Sequence, residues 1–515
     1  MPVCDQSETI CFLGSSQAFG DGETAKVVTT HISTVLLLGS RALKLKRAVK
    51  LPYVDLSTPE RRLAMCEREL KLNRRMAPEL YRAVHRVTRE PNGELALNGE
   101  GELVDAVLEM KRFDDELLFD RLAQHGRLSP ADMAGLAAAL AELHRVAEVS
   151  RDEQGARRVE RVLAVNERAF AAAGILPAEE VQEVNAACRA ALARHAGLLD
   201  QRAREGKVRL GHGDLHLRNI CLIDDKPMLF DCLEFDEDLA TTDILYDLAF
   251  ALMDLWHRGL EACANALFNR YLDMIGDESG LGLLPFFMAI RAAVRAHVAA
   301  ADVARPPTER LAEAQAYLRL CRAFLAVRVP VLIAVGGYSG SGKSTVAAGI
   351  AAALGPVPGA RIAASDRIRK KLCGVAPETR LPPEGYTDEV SDRTYAEMAR
   401  VAGAALAQGH AAIADAVFDR QAERDRIAEV AQRAGVPFHG LWLEAPERVL
   451  VERVSARRRD PSDATPDIVM GQLARKGAAS EWTELASQGE RSLVVAAALG
   501  AVGVRTVPPT LAPPR

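Results

Sequence analysis

Nine cysteines are scattered over 515 residues, an odd number, and no two form a Cys-x-x-Cys pair. That usage argues against a disulfide framework or a cysteine-built zinc site and suits reduced thiols. Neither sign of charge dominates: 65 Lys and Arg against 70 Asp and Glu leave a net charge of −5, with no long basic or acidic tail. Nucleic acid is therefore an unexpected partner, a local basic patch apart. No apolar run reaches the ~18 residues of a membrane span; residues 493–504 come closest, at about a dozen. The opening MPVCDQSETICFLG lacks the basic region and apolar core of a secretory signal. A soluble, cytoplasmic protein with no membrane partner is predicted. What is present is ordinary globular composition, 49% hydrophobic and 26% charged, in a chain too long for one core. Two or three domains are expected.

The first two-thirds of the chain converges on residues 211–235, GHGDLHLRNICLIDDKPMLFDCLEF. Asp214 and Asn219 stand five apart, the D-x-x-x-x-N spacing of kinase catalytic loops. The runs ICLI and MLF flank the polar turn DDKP and predict a hairpin, with Asp231 just past its second strand. Asn219 and Asp231 would then be two ligands for Mg²⁺ and Asp214 an acid beside a hydroxyl. The plainer alternative is a capped turn and a hairpin carrying surface acids.

Upstream, residues 1–22 show no clear period. KVVTTHISTVLLLG and RALKLK predict strands, the second with Leu43 and Leu45 on one face and Lys44 and Lys46 on the other. A lysine there could reach nucleotide phosphates, or the face could simply be wet. A helix is predicted from Pro59, capped by Ser57 or Thr58, on which Glu69 could pair with the strand lysine or remain a surface ion pair. Residues 103–113 read as a strand entering a hinge, with 109–111 near a bound base. His144, on a predicted helix over 130–147, reads as a packed or capping histidine. Asp243 and Asp247 are expected four apart on one helix, bracing the catalytic loop or capping the helix. No low-complexity linker follows, so the break falls close to 328–330, giving domains 1–328 and 329–515.

The second half opens with VPVLIAVGGYSGSGKST, an apolar strand running into Gly337-x-x-x-x-Gly342-Lys343-Ser344 and an Ala-rich helix. Glycines free backbone N–H groups to wrap a phosphate at a helix N-terminus. The loop assigns nucleotide binding to Gly337, Ser339, Gly340, Ser341, Gly342, Lys343, Ser344 and Thr345. Lys343 would bridge the β- and γ-phosphates, and Ser344 would hold Mg²⁺. Asp366, after the strand ARIAA, is placed to orient an acceptor hydroxyl, or else caps the next helix. Asp415 ends another strand, as a Mg²⁺-side acid or part of the acceptor pocket. Arg453, Arg457, Arg458 and Arg459 could close over phosphate or form a solvated face. The tail from Pro508 is expected to be disordered.

On these motifs, residues 25–325 resemble the aminoglycoside phosphotransferase family, whose HGDLHxxN signature stands here as residues 212–219, followed by LFDCLEF. The resemblance implies a bilobal protein-kinase-like fold with Asp214 as catalytic acid/base, Asn219 and Asp231 as Mg²⁺ ligands, and Lys44 on the phosphates with Glu69 as its partner. Residues 330–510 resemble P-loop kinases of small molecules and the zeta toxins, implying a parallel α/β fold with Asp366 facing the acceptor. The whole is similar to bacterial fusions described as bifunctional aminoglycoside phosphotransferase/ATP-binding proteins. The expectation is a two-domain α+β and α/β kinase using ATP and Mg²⁺ on small-molecule hydroxyls. The acidic acceptor-binding region of antibiotic kinases is not evident after Asp247, which argues against a drug as acceptor. Two alternatives are a nucleotide sensor in one domain that gates the other, and a nucleic-acid end kinase in the P-loop half, suggested by residues 367–371 and 453–459.

Overall fold

The computed structural model describes residues 5–19, 25–30, 32–51, 54–457, 461–475 and 481–504. Arg458, Arg459 and the tail from Pro508 lie outside them. Two compact units divide the chain: Met1–Leu128, Ala138–Arg158 and Leu199–Ala251 form one; Ser129–Ala137, Val159–Leu198 and Leu252–Arg515 form the other.

In the first unit an antiparallel sheet runs in the order Lys26–Thr29, Ser33–Leu38, Arg41–Lys46, Glu102–Lys111, Tyr81–Arg89, Leu95–Leu97. Alternation in the central strand sends Leu43 and Leu45 into a core with Leu36, Leu38, Val87 and Val107. The 1–22 region is not featureless. It holds the short helix Ser7–Leu13, whose Leu13 is buried in that same core. The helix Pro59–Asn73 begins where Thr58 accepts a hydrogen bond from the Arg61 N–H, and it packs on the sheet's other face. The expected hairpin pairs Ile220–Ile223 with Lys226–Leu229 around Asp224 and Asp225, both left-handed (φ +50° and +59°) as such a tight turn requires. Asp243 departs from expectation. It ends the short strand Thr241–Asp243, paired with Val208–Leu210, and the helix starts only at Ile244.

The second unit holds a fully parallel sheet in the order Arg361–Ala364, Ala412–Asp415, Leu332–Gly336, Phe438–Glu444, Thr483–Ala486. Its first three strands are buried along their whole length, as parallel strands covered on both faces must be. The edge strand Arg361–Ala364 is covered by the helix Glu261–Ile275. Asn269 accepts from the Ile362 N–H (2.7 Å) and donates to the Ala360 carbonyl, while Asn265 donates to the carbonyls of Pro358 and Ala360. Arg361 itself is buried, bound to Asp273 (2.7 Å) and Glu278 (3.1 Å). The stretch Glu278–Ala301 is long and apolar enough to cross a membrane, which no continuous run in the sequence suggested. Its most apolar window is 72% buried inside the fold, the position of a core helix.

Candidate functional site

Two clusters of functional side chains stand at loop ends, one in each unit. In the first, the loop after strand Val208–Leu210 is held from behind. Asp247 accepts the His212 N–H (2.7 Å) and the Gly213 N–H (2.9 Å), and His144 Nε2 lies 3.2 Å from the same carboxylate. Gly211 must be glycine, since a Cβ would sit 2.6 Å from Asp247 Oδ2. His212 is buried against the Phe230 carbonyl, and burial lowers its pKa, keeping the ring neutral. Asp243 is held elsewhere, where Arg202 grips it through two bonds of 2.6 and 2.9 Å. Bracing is thus what Asp247 does, while Asp243 ends a strand and caps the helix after it, its Oδ1 accepting the Leu245 N–H (2.9 Å).

That scaffold presents Asp214 with its side chain 41% exposed. Asn219 Nδ2 donates to the Asp214 backbone carbonyl (2.9 Å) and to its Oδ2 (3.2 Å), which fixes the carboxylate and leaves the amide oxygen of Asn219 uncommitted to Asp214. Asp231 takes a left-handed φ of +58°, uncommon for a residue with a Cβ. Its N–H donates to the Tyr81 hydroxyl (3.0 Å) and the next N–H, of Cys232, to Asn73 (3.0 Å), which offsets that strain. Lys44 bridges Glu69 (2.7 Å) and Asp231 (2.5 Å). The lysine face of the strand is therefore not wet. Burial opposes charge on Lys44, but Asp231, Glu69 and Glu234 outweigh it and hold the ammonium well above its ordinary pKa. For Glu69 burial pushes up, and Lys44 and Lys46 pull its pKa down further than that.

Sequence reasoning placed Lys46 beside Lys44 on the lysine face without its partners, and missed Glu234. Lys46 is fully buried between Glu69 (2.5 Å) and Glu234 (2.6 Å), so Glu69 holds both strand lysines at once. The one available signal was an acid three residues after Asp231. Across the sheet, Glu109 is spent on Arg41, Arg82 and His85. It is the following segment, Arg112–Glu116, that lines a cavity of ≈ 530 Å³ with Gly39 and Ser40.

In the second unit the glycine-rich loop joins strand Leu332–Gly336 to the helix Lys343–Ala351. Gly340 (φ +88°) admits no side chain, because a Cβ would lie 2.6 Å from the Leu450 carbonyl; at Gly342 (φ +88°) the nearest atom is 3.9 Å away, on Arg453. Both must be left-handed, and the space in front of Gly342 is open for an anion. Ser339, Gly340, Ser341, Gly342, Lys343, Ser344 and Thr345 line one cavity of ≈ 850 Å³ together with Asp366, Asp415, Arg453 and Arg457. Gly337 does not line it; its N–H donates to the Val417 carbonyl behind the loop. Lys343 rests on the Tyr338 carbonyl (3.1 Å), and burial lowers its pKa against the pull of Asp415 and Asp366. Burial raises the pKa of Asp366, opposed by Lys343 and assisted by Asp415. Asp366 does not occupy the capping position of its helix, which is Ala364. Arg453 donates to the carbonyls of Gly340 and Ser487. Gln472, unforeseen, accepts from the Ser339 N–H (2.8 Å).

The basic run 367–371 is largely committed internally. Arg367 pairs with Asp273 (2.7 Å), Arg369 donates to Gly385 and Ser391, and Lys370 is buried on Asp463 (2.5 Å). Asp463 also accepts from the Tyr386 hydroxyl and the Leu381 N–H, tying three segments beside the cavity together.

The model of the phosphotransferase enzyme family matches residues 42–284, and that of an AAA domain matches residues 332–478. An uncharacterized protein of Mycobacterium tuberculosis (strain ATCC 25618 / H37Rv) is 30% identical over 462 residues, spanning 87% of this chain and 89% of its own. One of Mycobacterium bovis (strain ATCC BAA-935 / AF2122/97) matches to the same extent. The chain belongs to this family of phosphotransferase–AAA fusions. Among solved structures it is similar to a gluconokinase from Sinorhizobium meliloti 1021 (22% identity, 34% of this chain and 93% of that one, TM-score 0.26). It is also similar to a choline/ethanolamine kinase family protein from Mesorhizobium loti (14%, 62% and 94%, TM-score 0.39). The fusion thus joins a phosphotransferase half to a P-loop AAA half.

Proposed function

We propose that the fusion is an ATP- and Mg²⁺-dependent phosphotransferase with two nucleotide sites, each passing the γ-phosphate to a hydroxyl of a small molecule. The observation that carries this reading is the AAA-half cavity, where Lys343, Asp366 and Asp415 line one space with the glycine-rich loop. Those are the groups the chemistry needs: a cation for the phosphates, an acid for the hydroxyl and an acid on the metal side. In the phosphotransferase half Asp214 orients the acceptor and takes its proton, and Lys44, held by Glu69, meets the phosphates.

The residues present suit Mg²⁺, which commonly binds one or two carboxylates together with phosphate oxygens. Asp231 has a 40% exposed side chain, and Asn219 turns its amide N–H groups toward Asp214. These two would hold the ion in the first site, and Ser344 with Asp415 in the second. Bound there, it would neutralise charge on the transferring phosphate. The chain's own work is positioning: Asp247 and Asn219 fix Asp214, and the loop backbone fixes the nucleotide. A small acceptor is favoured over a nucleic-acid end because Arg367, Arg369 and Lys370 are spent on internal partners. Titration with a non-hydrolysable ATP analogue and Mg²⁺ tests the two-site reading. Two equivalents per chain are expected, falling to one in Lys343→Ala; a single equivalent in the unaltered protein would refute it.

A further inference from the structure

One wall of the AAA-half cavity comes from outside the AAA match. Arg270 lines that cavity, yet it sits on the helix Glu261–Ile275, within the stretch matched by the phosphotransferase family. The helix is fixed in place by its two asparagines on the edge strand and by Asp273. Asp273, the acid that most favours its charge, is already shared between Arg361 and Arg367, each at 2.7 Å. Among the described residues Arg270 makes no hydrogen bond or ion pair of its own. Burial and the neighbouring Arg367 both work against its charge, with Asp273 and the exposed Glu378 acting weakly the other way. With no protein partner, the donors of this half-buried guanidinium face the cavity and its water, which a ligand oxyanion can replace. Arg369, on the same wall, is committed to Gly385, Ser391 and the Tyr386 ring. Basic side chains outnumber acidic ones around the cavity, and Lys343, Arg453 and Arg457 stand at the glycine-rich loop, where nucleotide phosphates would lie.

We propose that Arg270 grips an oxyanion on the acceptor of the AAA half, so that this site takes a hydroxylated anion, a carboxylate or a phosphate ester. The specificity residue is thus supplied by the other family's stretch of chain. The inference rests on the two-site reading above. It would also tie the two matches together within one polypeptide, since residues 261–275 lend Arg270 to the wall of the AAA cavity.

The test uses the full chain saturated with a non-hydrolysable ATP analogue and Mg²⁺, titrated calorimetrically with inorganic phosphate and, separately, with acetate. The unaltered protein is expected to bind at least one of them, phosphate marking a phosphate-ester site and acetate a carboxylate site. Arg270→Gln should weaken that binding about tenfold or more, since a charge-assisted fork is lost, and Arg270→Lys should recover part of it. Unchanged thermal melting of Arg270→Gln checks that the fold survives. Equal anion binding by the unaltered protein and Arg270→Gln, or no binding by either, would overturn the proposal. The nucleotide stoichiometry reads the parent proposal separately, so a chain with two nucleotide sites and no Arg270 effect would sink only this inference.

Discussion

Lys46 donates to Glu69 from the Pro59–Asn73 helix and to Glu234 beyond the hairpin, and all three are buried. Removing one member of such a buried set leaves an uncompensated charge, which typically costs ~3–5 kcal/mol. Lys46→Met should lower stability by about that amount in urea unfolding, and adding Glu234→Gln should restore part of it. Equal stability of the single variant and the parent would show the set to be idle. Asp366 gives a pH prediction. Its carboxyl is raised by burial, so ionised Asp366 costs stability, a cost relieved as pH falls through the raised pKa. If transfer in the AAA half needs Asp366 ionised, kcat/KM should fall on the acid side at a pH above the ~3.9 of a free aspartate. The profile, recorded in an Asp214→Asn background, should lose that limb in Asp366→Asn. Asp214, Asn219 and Asp231 could be picked out in the sequence because their spacing is local. The burial of Lys46 between two acids could not, since alternation says which face a side chain takes and nothing about what packs on that face.

At the scale of elements, the hairpin and the glycine-rich loop were legible because each depends on a short run of residues with its own turn chemistry. The docking of the helix Glu261–Ile275 on a sheet edge was not. Its Asn265 and Asn269 act on strand backbone about 90 residues away, and no local pattern marks an asparagine that caps a sheet edge. Asn269→Ala would leave the buried Ile362 N–H without its acceptor, a loss of roughly 1–3 kcal/mol. Hydrogen exchange should show the Ile362 amide losing protection in that variant while the loop at 211–219 keeps its own. Of the two roles open to Asp243 the structure takes the cap: it stands just before the helix, ends a strand paired with Val208–Leu210 and is held by Arg202, distant in sequence. Gly340→Ala should abolish nucleotide binding in the AAA half, because the new Cβ meets the Leu450 carbonyl. Retained binding of two equivalents would contradict that.

For the whole molecule, both halves were readable from their motifs, and the family matches bear out the fusion. What the motifs left open was how far each half's site is built from its own stretch, and Arg270 gives one answer. The central claim is that two separate sites each turn over. It is tested most directly by acceptor-stimulated ATP consumption of the intact chain, over sugars, hydroxy acids, sugar phosphates and amino alcohols, in the unaltered protein, Asp214→Asn, Asp366→Asn and the double variant. Each single substitution should cut one acceptor's turnover by a factor on the order of 10²–10⁴ and spare the other's, and the double should remove both. A double variant that retains acceptor-stimulated turnover would contradict the account.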